Sequence, residues 1–428
     1  MRILPQGPEK YVGHNVLKVD AYDKVSGDAI YPDDIFLEDM LFLKIKRAPY
    51  PHAILKALDI SKARKLTGVV RIITRSDIPD VKRFGLIVKD QPVLVGIGEK
   101  MRYMGDALAI VLAESREIAS KAVSLIETEI EELEVITNPF RAMDKDAPLI
   151  HEGGNILTSH RLEKGDIEKG FAKADIIVEN EYRTQHIDQL PLQNEAGVAV
   201  YDQSKEKIRI WAASQWLHDT QADIAQSLGI PKEKVRLIQT AIGGAFGKKE
   251  DISVHIHLAL AALMTGRPVK LTFNREESMI TQSKRHPISI RLKTGVGKDG
   301  LLTAVETEVI GDTGAYASSG PAVTHKGMFH CTGPYNVANV KGRSYTVYTN
   351  NTYAGAMRGF GTTQMAFAYE SQMDILAYKL GMNPFEFRKL NAYDTGSITA
   401  NGQELTRSVN VKETIDAVEQ LLQEKGGF

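Results

Sequence analysis

Only one cysteine, Cys331, occurs among the 428 residues. An internal disulfide is therefore excluded, and so is a cysteine-ligated zinc or iron–sulfur site built from this chain alone. So few thiols suit a reducing compartment, and a cytoplasmic location is expected. Charge of one sign is lacking too: 53 Lys+Arg stand against 54 Asp+Glu, a formal net charge of −1. No basic excess or stripe marks a nucleic-acid surface. The longest apolar run, residues 252–264, is interrupted by Ser253, His255 and His257 and is too short to span a bilayer. Residues 1–15 contain no apolar core of the signal-peptide kind, so no signal peptide and no membrane association are expected. There is no repeat and no low-complexity segment. What is present is ordinary: 43% hydrophobic and 25% charged residues, the composition of a soluble globular protein. The length allows two or more domains with sizeable cores.

Periodicity divides the chain. Residues 1–20 read as an irregular lead-in. Between 21 and 137, strand-like runs at 41–46, 69–73, 107–112 and 126–131 alternate with helical ones, and a helix begins near 115. Pro139, Pro148, Gly153 and Gly154 break residues 138–155, which read as a linker. Residues 156–428 form the larger region. Strands are predicted there at 176–184, 197–201, 208–213, 235–239, 269–274, 288–294 and 302–310. Helices are predicted at 218–228, 252–265, 364–380, 384–391 and 411–425. The expected fold class is α+β, with an N-terminal α/β unit followed by a mixed α+β domain.

Residues 243–251 read Gly-Gly-Ala-Phe-Gly-Lys-Lys-Glu-Asp. Gly243, Gly244 and Gly247 permit a tight backbone with several N–H groups aimed one way, and such a concavity binds an anionic oxygen. Glu250 at its edge could handle a proton or grip a substrate N–H. Most glycine-rich turns are only turns, so the neighbours decide. Other motifs carry less. Gly295-Val296-Gly297-Lys298-Asp299-Gly300 matches the dinucleotide fingerprint, but a strand follows it where a helix is needed, and Asp299-Gly300 signals a hairpin. Gly247-Lys248-Lys249 lacks the Ser/Thr of a P-loop. Asp312-Thr313-Gly314 and Asp394-Thr395-Gly396 match the aspartic-protease triplet in dissimilar surroundings, and two polar turns are the plainer reading. His255 and His257 point apart on a helix and cannot share a metal, so they read as packed or capping histidines. Gly96-Ile97-Gly98-Glu99 reads as a surface turn.

Five segments belong together. Ser214-Gln215, the 243–250 loop, Arg285-His286-Pro287, Gly311-Asp312-Thr313-Gly314-Ala315-Tyr316 and Ala356-Met357-Arg358-Gly359-Phe360-Gly361 occur in this order. Their order and spacing resemble the molybdenum hydroxylases of the xanthine dehydrogenase and aldehyde oxidase family. Residues 24–33, 47–53 and 102–106 resemble that family's N-terminal α/β hammerhead domain, here 21–137. The remainder, 156–428, resembles its first molybdopterin-binding domain.

The resemblance implies hydroxylation of an electron-poor carbon next to a ring nitrogen, or of an aldehyde, with water as oxygen source. It implies a molybdenum–molybdopterin cofactor, in the cytosine dinucleotide form, whose metal takes no protein side chain as ligand. Electrons would leave through 2Fe-2S clusters and FAD on partner subunits. Gln215 would hydrogen-bond an oxygen ligand of the metal, and the Phe246 N–H would face another, within the loop of Gly243, Gly244 and Gly247. Arg358 would help hold the cofactor. Phe360 would stack on the substrate ring, and Glu250 would hydrogen-bond the heterocycle. Lys326 falls where purine-oxidising members carry a substrate-contacting arginine. Lysine keeps the charge but loses the planar fork, which favours a nicotinate-like heteroaromatic over a purine.

Two departures from the family pattern bear on the loop. Ala245 replaces a glycine, so φ there must be negative. Lys248 replaces another, and a cation beside the pocket is expected. The family's catalytic glutamate belongs to a G-x-G-E-like segment in a second cofactor-binding domain, which this sequence lacks. Glu250 is therefore expected to contact substrate and not to be the general base. The chain reads as the large half of a divided catalytic unit, working with a second molybdopterin subunit, an iron–sulfur subunit and an FAD subunit. The alternatives are the molybdenum subunit of a purine or aldehyde dehydrogenase, or a non-catalytic scaffold subunit of such a complex.

Overall fold

The computed structural model describes residues 14–78 and 80–426. Most of the lead-in expected at 1–20, the stretch read for a signal peptide, and the closing Gly427 and Phe428 lie outside the described residues.

Seven strands form the larger sheet. Their order is Val235–Gln239, Lys207–Ala212, Ala196–Asp202, Val269–Thr272, Leu41–Arg47, Ala107–Ala113 and Val69–Thr74. Ala107–Ala113 is apolar throughout and every residue of it is buried. A strand with neighbours on both edges and cover on both faces has no use for alternation. Leu41–Arg47 pairs antiparallel with it and parallel with Val269–Thr272, Leu41 standing opposite Val269. The sheet thus joins strands from either side of residues 138–155. The helix His255–Thr265 packs on this sheet and on the helix Leu217–Leu228. Residues 255–262 are all buried, as suits a helix with no polar face. His257 Nε2 lies 3.0 Å from the Val93 carbonyl oxygen, a packed histidine as expected.

Five strands form the second sheet, in the order Ile156–Lys164, Asn339–Tyr348, Leu302–Gly314, Ile288–Val296 and Ile176–Arg183. The fingerprint-like glycine segment is the hairpin between Ile288–Val296 and Leu302–Gly314, closed by Gly300 N–H donating to the Gly297 carbonyl. The helices Gly320–Phe329 and Thr362–Leu380 cover one face and bury Ile290, Leu292, Val340, Met328 and Met365 with it. The alternate residues, Arg291, Glu306, Glu308 and Lys341 among them, form a charged opposite face. Arg291 Nε donates to Glu179 there at 2.6 Å.

Several elements escape the sequence reading. Gly320–Phe329 opens with Gly-Pro and contains Gly327, a poor helix former. It forms because Pro321 falls in the first turn, where no N–H is needed, and because Val323 and Met328 bury against the sheet. Ile156–Lys164 is an edge strand with much of its length exposed. Residues 138–155 pack closely: Ala142, Ala147 and Ile150 contact Ile310 and Val347. No helix among the described residues is long and apolar enough to cross a membrane.

Four connecting segments, 184–195, 240–254, 273–287 and 349–361, come together where the chain crosses between the two sheets. The short parallel pair Lys284–Arg285 and Ala354–Gly355 holds two of them in register.

Candidate active site

The loop 240–254 carries three unusual turns around its centre. Gly244 has φ +101°, Phe246 +57° and Gly247 +105°. Ala245 keeps a negative φ, as its methyl requires, because its neighbours take the left-handed conformations. A left-handed phenylalanine costs about 1–2 kcal/mol and persists only where its surroundings fix it. Here they do. The Arg358 N–H donates to the Phe246 carbonyl at 3.0 Å. The Gly247 N–H donates to Gln215 Oε1 at 3.0 Å, and the Gln215 N–H to the Lys249 carbonyl at 2.8 Å. Gln193 clasps the loop's start, accepting from the Gly243 N–H at 2.8 Å and donating to its carbonyl at 3.1 Å. A Cβ on Gly247 would stand 2.3 Å from the Ala356 carbonyl oxygen, so only glycine fits.

The consequence is a row of free donors. Among the described residues, the N–H groups of Gly244, Ala245 and Phe246 have no protein acceptor. Successive free N–H groups of this kind make an anion-binding nest, which fits a cofactor that presents anionic oxygens. Gln215 must accept through its carbonyl oxygen, since its partner is an N–H, which leaves its NH2 free to donate elsewhere.

The second wall is 354–361. Phe360 is left-handed too, at φ +51° between Gly359 and Gly361. Arg285 donates to the Arg358 carbonyl at 2.9 Å and to Thr363 Oγ1 at 2.8 Å. The Arg358 side chain is exposed and the Phe360 ring half-buried. Lys326 Nζ, from the helix Gly320–Phe329, lies 5.7 Å from the Phe360 ring centre. The structure thus ties Gly247 to Gln215 and Phe246 to Arg358, holds Gly243 through Gln193 and Gly244 through Lys249, and pairs Lys326 with Phe360.

Glu250 is half-buried, and its Oε2 is enclosed without a protein partner. Burial, and then the neighbouring Asp251 charge, push its carboxyl up to about 7. Asp251 is buried and rises to about 6 for the same first reason, although the Ser318 hydroxyl donates to it at 2.6 Å. Lys248 is not the free cation expected beside the pocket. Its side chain is fully enclosed and its Nζ lies 2.8 Å from Asp188 Oδ1, while Lys284 Nζ lies 2.9 Å from Oδ2. Burial makes a solvated ammonium unavailable at that position, and the buried aspartate neutralises it. Lys249, pushed down to about 8 by burial, donates to the Gly244 and Gln193 carbonyls.

Asp188, Gln189, Gln193 and Lys284 build the site yet match no motif. Gln189 Nε2 donates to the Ala356 carbonyl at 2.8 Å. The one available signal is the stretch 186–195, dense in polar side chains between two strands but without the Gly or Ser of a turn. The decoys fall away. Asp312 is buried and accepts from Thr349 and Asn351, whereas Asp394 is exposed and pairs with Lys412 at 3.0 Å, so these two aspartates do not form a dyad. Glu99 accepts from its own turn at Gly96. Among the described residues, no three His, Cys, Asp or Glu side chains could hold a metal ion.

A family model described as molybdopterin cofactor-binding domain matches residues 150–392. A second, described as aldehyde oxidase and xanthine dehydrogenase, a/b hammerhead domain, matches residues 26–134. The nicotinate dehydrogenase large molybdopterin subunit of Eubacterium barkeri is 42% identical over 97% of both chains. The xanthine dehydrogenase molybdenum-binding subunit of Escherichia coli is 34% identical over 89% of this chain and 52% of its own. Among solved structures, quinoline 2-oxidoreductase from Pseudomonas putida superimposes with a TM-score of 0.92 at 26% identity, over 98% of this chain and 55% of that one. The aldehyde oxidoreductase from Desulfovibrio desulfuricans gives 0.90 at 31%, over 96% and 47%. The chain therefore spans about half the length of the xanthine dehydrogenase polypeptide and of both solved structures.

Proposed function

The chain belongs to the molybdenum hydroxylases of the xanthine dehydrogenase and aldehyde oxidase family, and from that premise we propose that it is the large molybdopterin subunit of an enzyme that hydroxylates a nitrogen heteroaromatic. Residues 21–137 serve as the hammerhead domain and 156–428 as the first molybdopterin-binding domain. The observation that carries the reading is the 243–250 loop, whose row of free N–H groups ends at Phe246 and is stitched to Arg358.

Bound molybdopterin supplies the redox chemistry that takes a C–H to a C–OH with water as oxygen source. This chain's residues bind and orient. The N–H groups of Gly244, Ala245 and Phe246 hold an anionic oxygen of the cofactor from a backbone that need not reorganise. The free NH2 of Gln215 donates to a second one, and the exposed Arg358 guanidinium holds the cofactor's anionic part. Phe360 offers a ring face to an aromatic substrate. Lys326 beside it supplies a point charge for a substrate carboxylate. Glu250, with its carboxyl near neutrality, can donate to a ring nitrogen or accept from a ring N–H. The general base comes from another chain.

A partner of that kind is supported by the relative matched along 97% of its length, itself named a large molybdopterin subunit. We assign the cofactor its cytosine dinucleotide form, place 2Fe-2S clusters and FAD on further partner subunits, and place the complex in the cytoplasm. Nicotinate-type substrates rank ahead of purines, and purines ahead of aldehydes. The test is turnover of the purified complex with nicotinate, xanthine and benzaldehyde in labelled water, alongside molybdenum analysis. Label should enter hydroxylated nicotinate first. A complex without molybdenum, or one that oxidises only aldehydes, would overturn the reading.

A further inference from the structure

Behind the site, a small cavity lies between Asp251 and the protein surface. Its walls include Asp251, Ser318, Tyr316, Asp90 and Asp223, and it has room for about one water. Asp251 and Asp90 are both more than nine-tenths buried. The Ser318 hydroxyl donates to Asp251 Oδ1 at 2.6 Å. Asp90 Oδ2 accepts from the Ala317 N–H and the Tyr348 hydroxyl, each at 2.8 Å. Asp90 Oδ1 is buried without a partner and faces Gly85, another wall of the cavity, 3.5 Å from where a Cβ there would stand. Ser318 itself is left-handed, at φ +42°. That conformation is unfavourable for serine, and the strain is retained where it aims a group. At the outer end Asp223 pairs with Lys89, whose side chain is 35% exposed. The cluster is not a cation site, because no three of these carboxylates are close enough to share a metal ion.

We propose that Asp251, Ser318, the cavity water and Asp90 form a proton exit path from Glu250 to the Lys89–Asp223 surface. The proposal rests on the hydroxylase reading. Converting RH and water to ROH releases two protons with two electrons. The electrons pass to the iron–sulfur and flavin partners, and the protons must leave separately. Glu250 and Asp251 are consecutive, and each has a buried carboxylate oxygen without a partner; a proton on Glu250 moves to Asp251 between them. Once Asp251 is protonated, the Ser318 hydroxyl turns to accept from it as the serine's own hydrogen passes to the water. The water donates to Asp90, and it later takes that proton back and hands it to Asp223, which lines the same cavity and pairs with Lys89 at the surface. Each transfer breaks one O–H bond and forms one, with no change of oxidation state. Glu250 at about 7 and Asp251 and Asp90 at about 6 are close enough that no step is strongly uphill.

The test uses the purified complex, mixed rapidly with nicotinate in weak buffer with a pH indicator. Asp90→Asn keeps both acceptor bonds. Ser318→Gly removes the hydroxyl and relaxes the positive φ, so neither variant should unfold. Both should reduce at the wild-type rate and release protons about tenfold or more slowly. Release at the wild-type rate in both variants overturns the path. Infrared spectroscopy without substrate gives a second readout. Below pH 6 the protonated Asp251 carboxyl should exchange with D2O more slowly in either variant, and equal exchange in all three proteins overturns the path. If nicotinate fails to reduce the wild-type complex, the hydroxylase reading fails while the exchange measurement still decides the path.

Discussion

Lys248 Nζ and Asp188 Oδ1 lie 2.8 Å apart with side-chain exposures of 0% and 5%. Lys284 shares the same carboxylate, so one buried aspartate ties the 184–195, 240–254 and 273–287 segments together. Burial alone would raise the Asp188 carboxyl, but the two ammonium groups outweigh it and hold it below its ordinary range. Asp188→Asn should therefore strand two buried ammonium groups and cost about 3–5 kcal/mol. Lys248→Met should cost less, because Lys284 remains as partner. Denaturant melts of both variants check the order.

Glu250→Gln should lower turnover far more than molybdenum content, measured together on the purified complex. The amide keeps the shape and hydrogen-bonding capacity but cannot titrate. Equal loss of metal and activity would make Glu250 structural.

Gly247→Ala should abolish cofactor loading, because its Cβ meets the Ala356 carbonyl at 2.3 Å, a backbone atom that cannot swing aside. Ala245→Gly should be nearly silent, costing about 1 kcal/mol or less through chain entropy. Metal content of the two variants separates a packed wall from a generally fragile loop.

Two sets of buried groups should pull stability in opposite directions on the acid side of neutrality. Burial holds His255 and His257 down to about 4 and His286 to about 3. Their contribution is present above the ordinary histidine value of about 6.5 and is lost as pH falls through 4. Asp90 is raised by burial to about 6. Its contribution is complete below the ordinary carboxylate value and is lost as pH rises through 6. Asp90→Asn should remove about 2–3 kcal/mol of decline between pH 4 and 7, read in thermal melts as a steeper gain in stability with pH across that window.

Lys326→Met should raise KM for nicotinate about threefold to fivefold, the worth of one solvent-exposed charge contact, with little change in kcat. An uncharged heteroaromatic such as quinoline should be indifferent. A KM change common to both would point to Phe360 packing instead.

Local signals were legible and long-range ones were not. The 243–250 loop and the 356–361 segment declare themselves, because left-handed turns need glycine and the glycines are adjacent in sequence. The hairpin at Gly300 was readable from Asp-Gly alone. Gly320–Phe329, which carries Lys326, was not, because its helix comes from burial against a sheet and not from its own residues. Asp188 and Lys248 each look like ordinary surface charges until the fold places one over the other. Lys248 misled for that reason: the sequence shows a charge but not its counter-charge.

The register of Leu41 against Val269 has a consequence for synthesis. A nascent chain presents Leu41–Arg47 early, with one edge of its backbone unpaired. That edge stays open until residue 269 has left the ribosome, and an open edge is a template for another chain. The hammerhead region is thus committed to waiting for the rest of the polypeptide. A ribosome that stalls between the two strands leaves that edge open to pairing with another chain, whatever state the cofactor loop has reached.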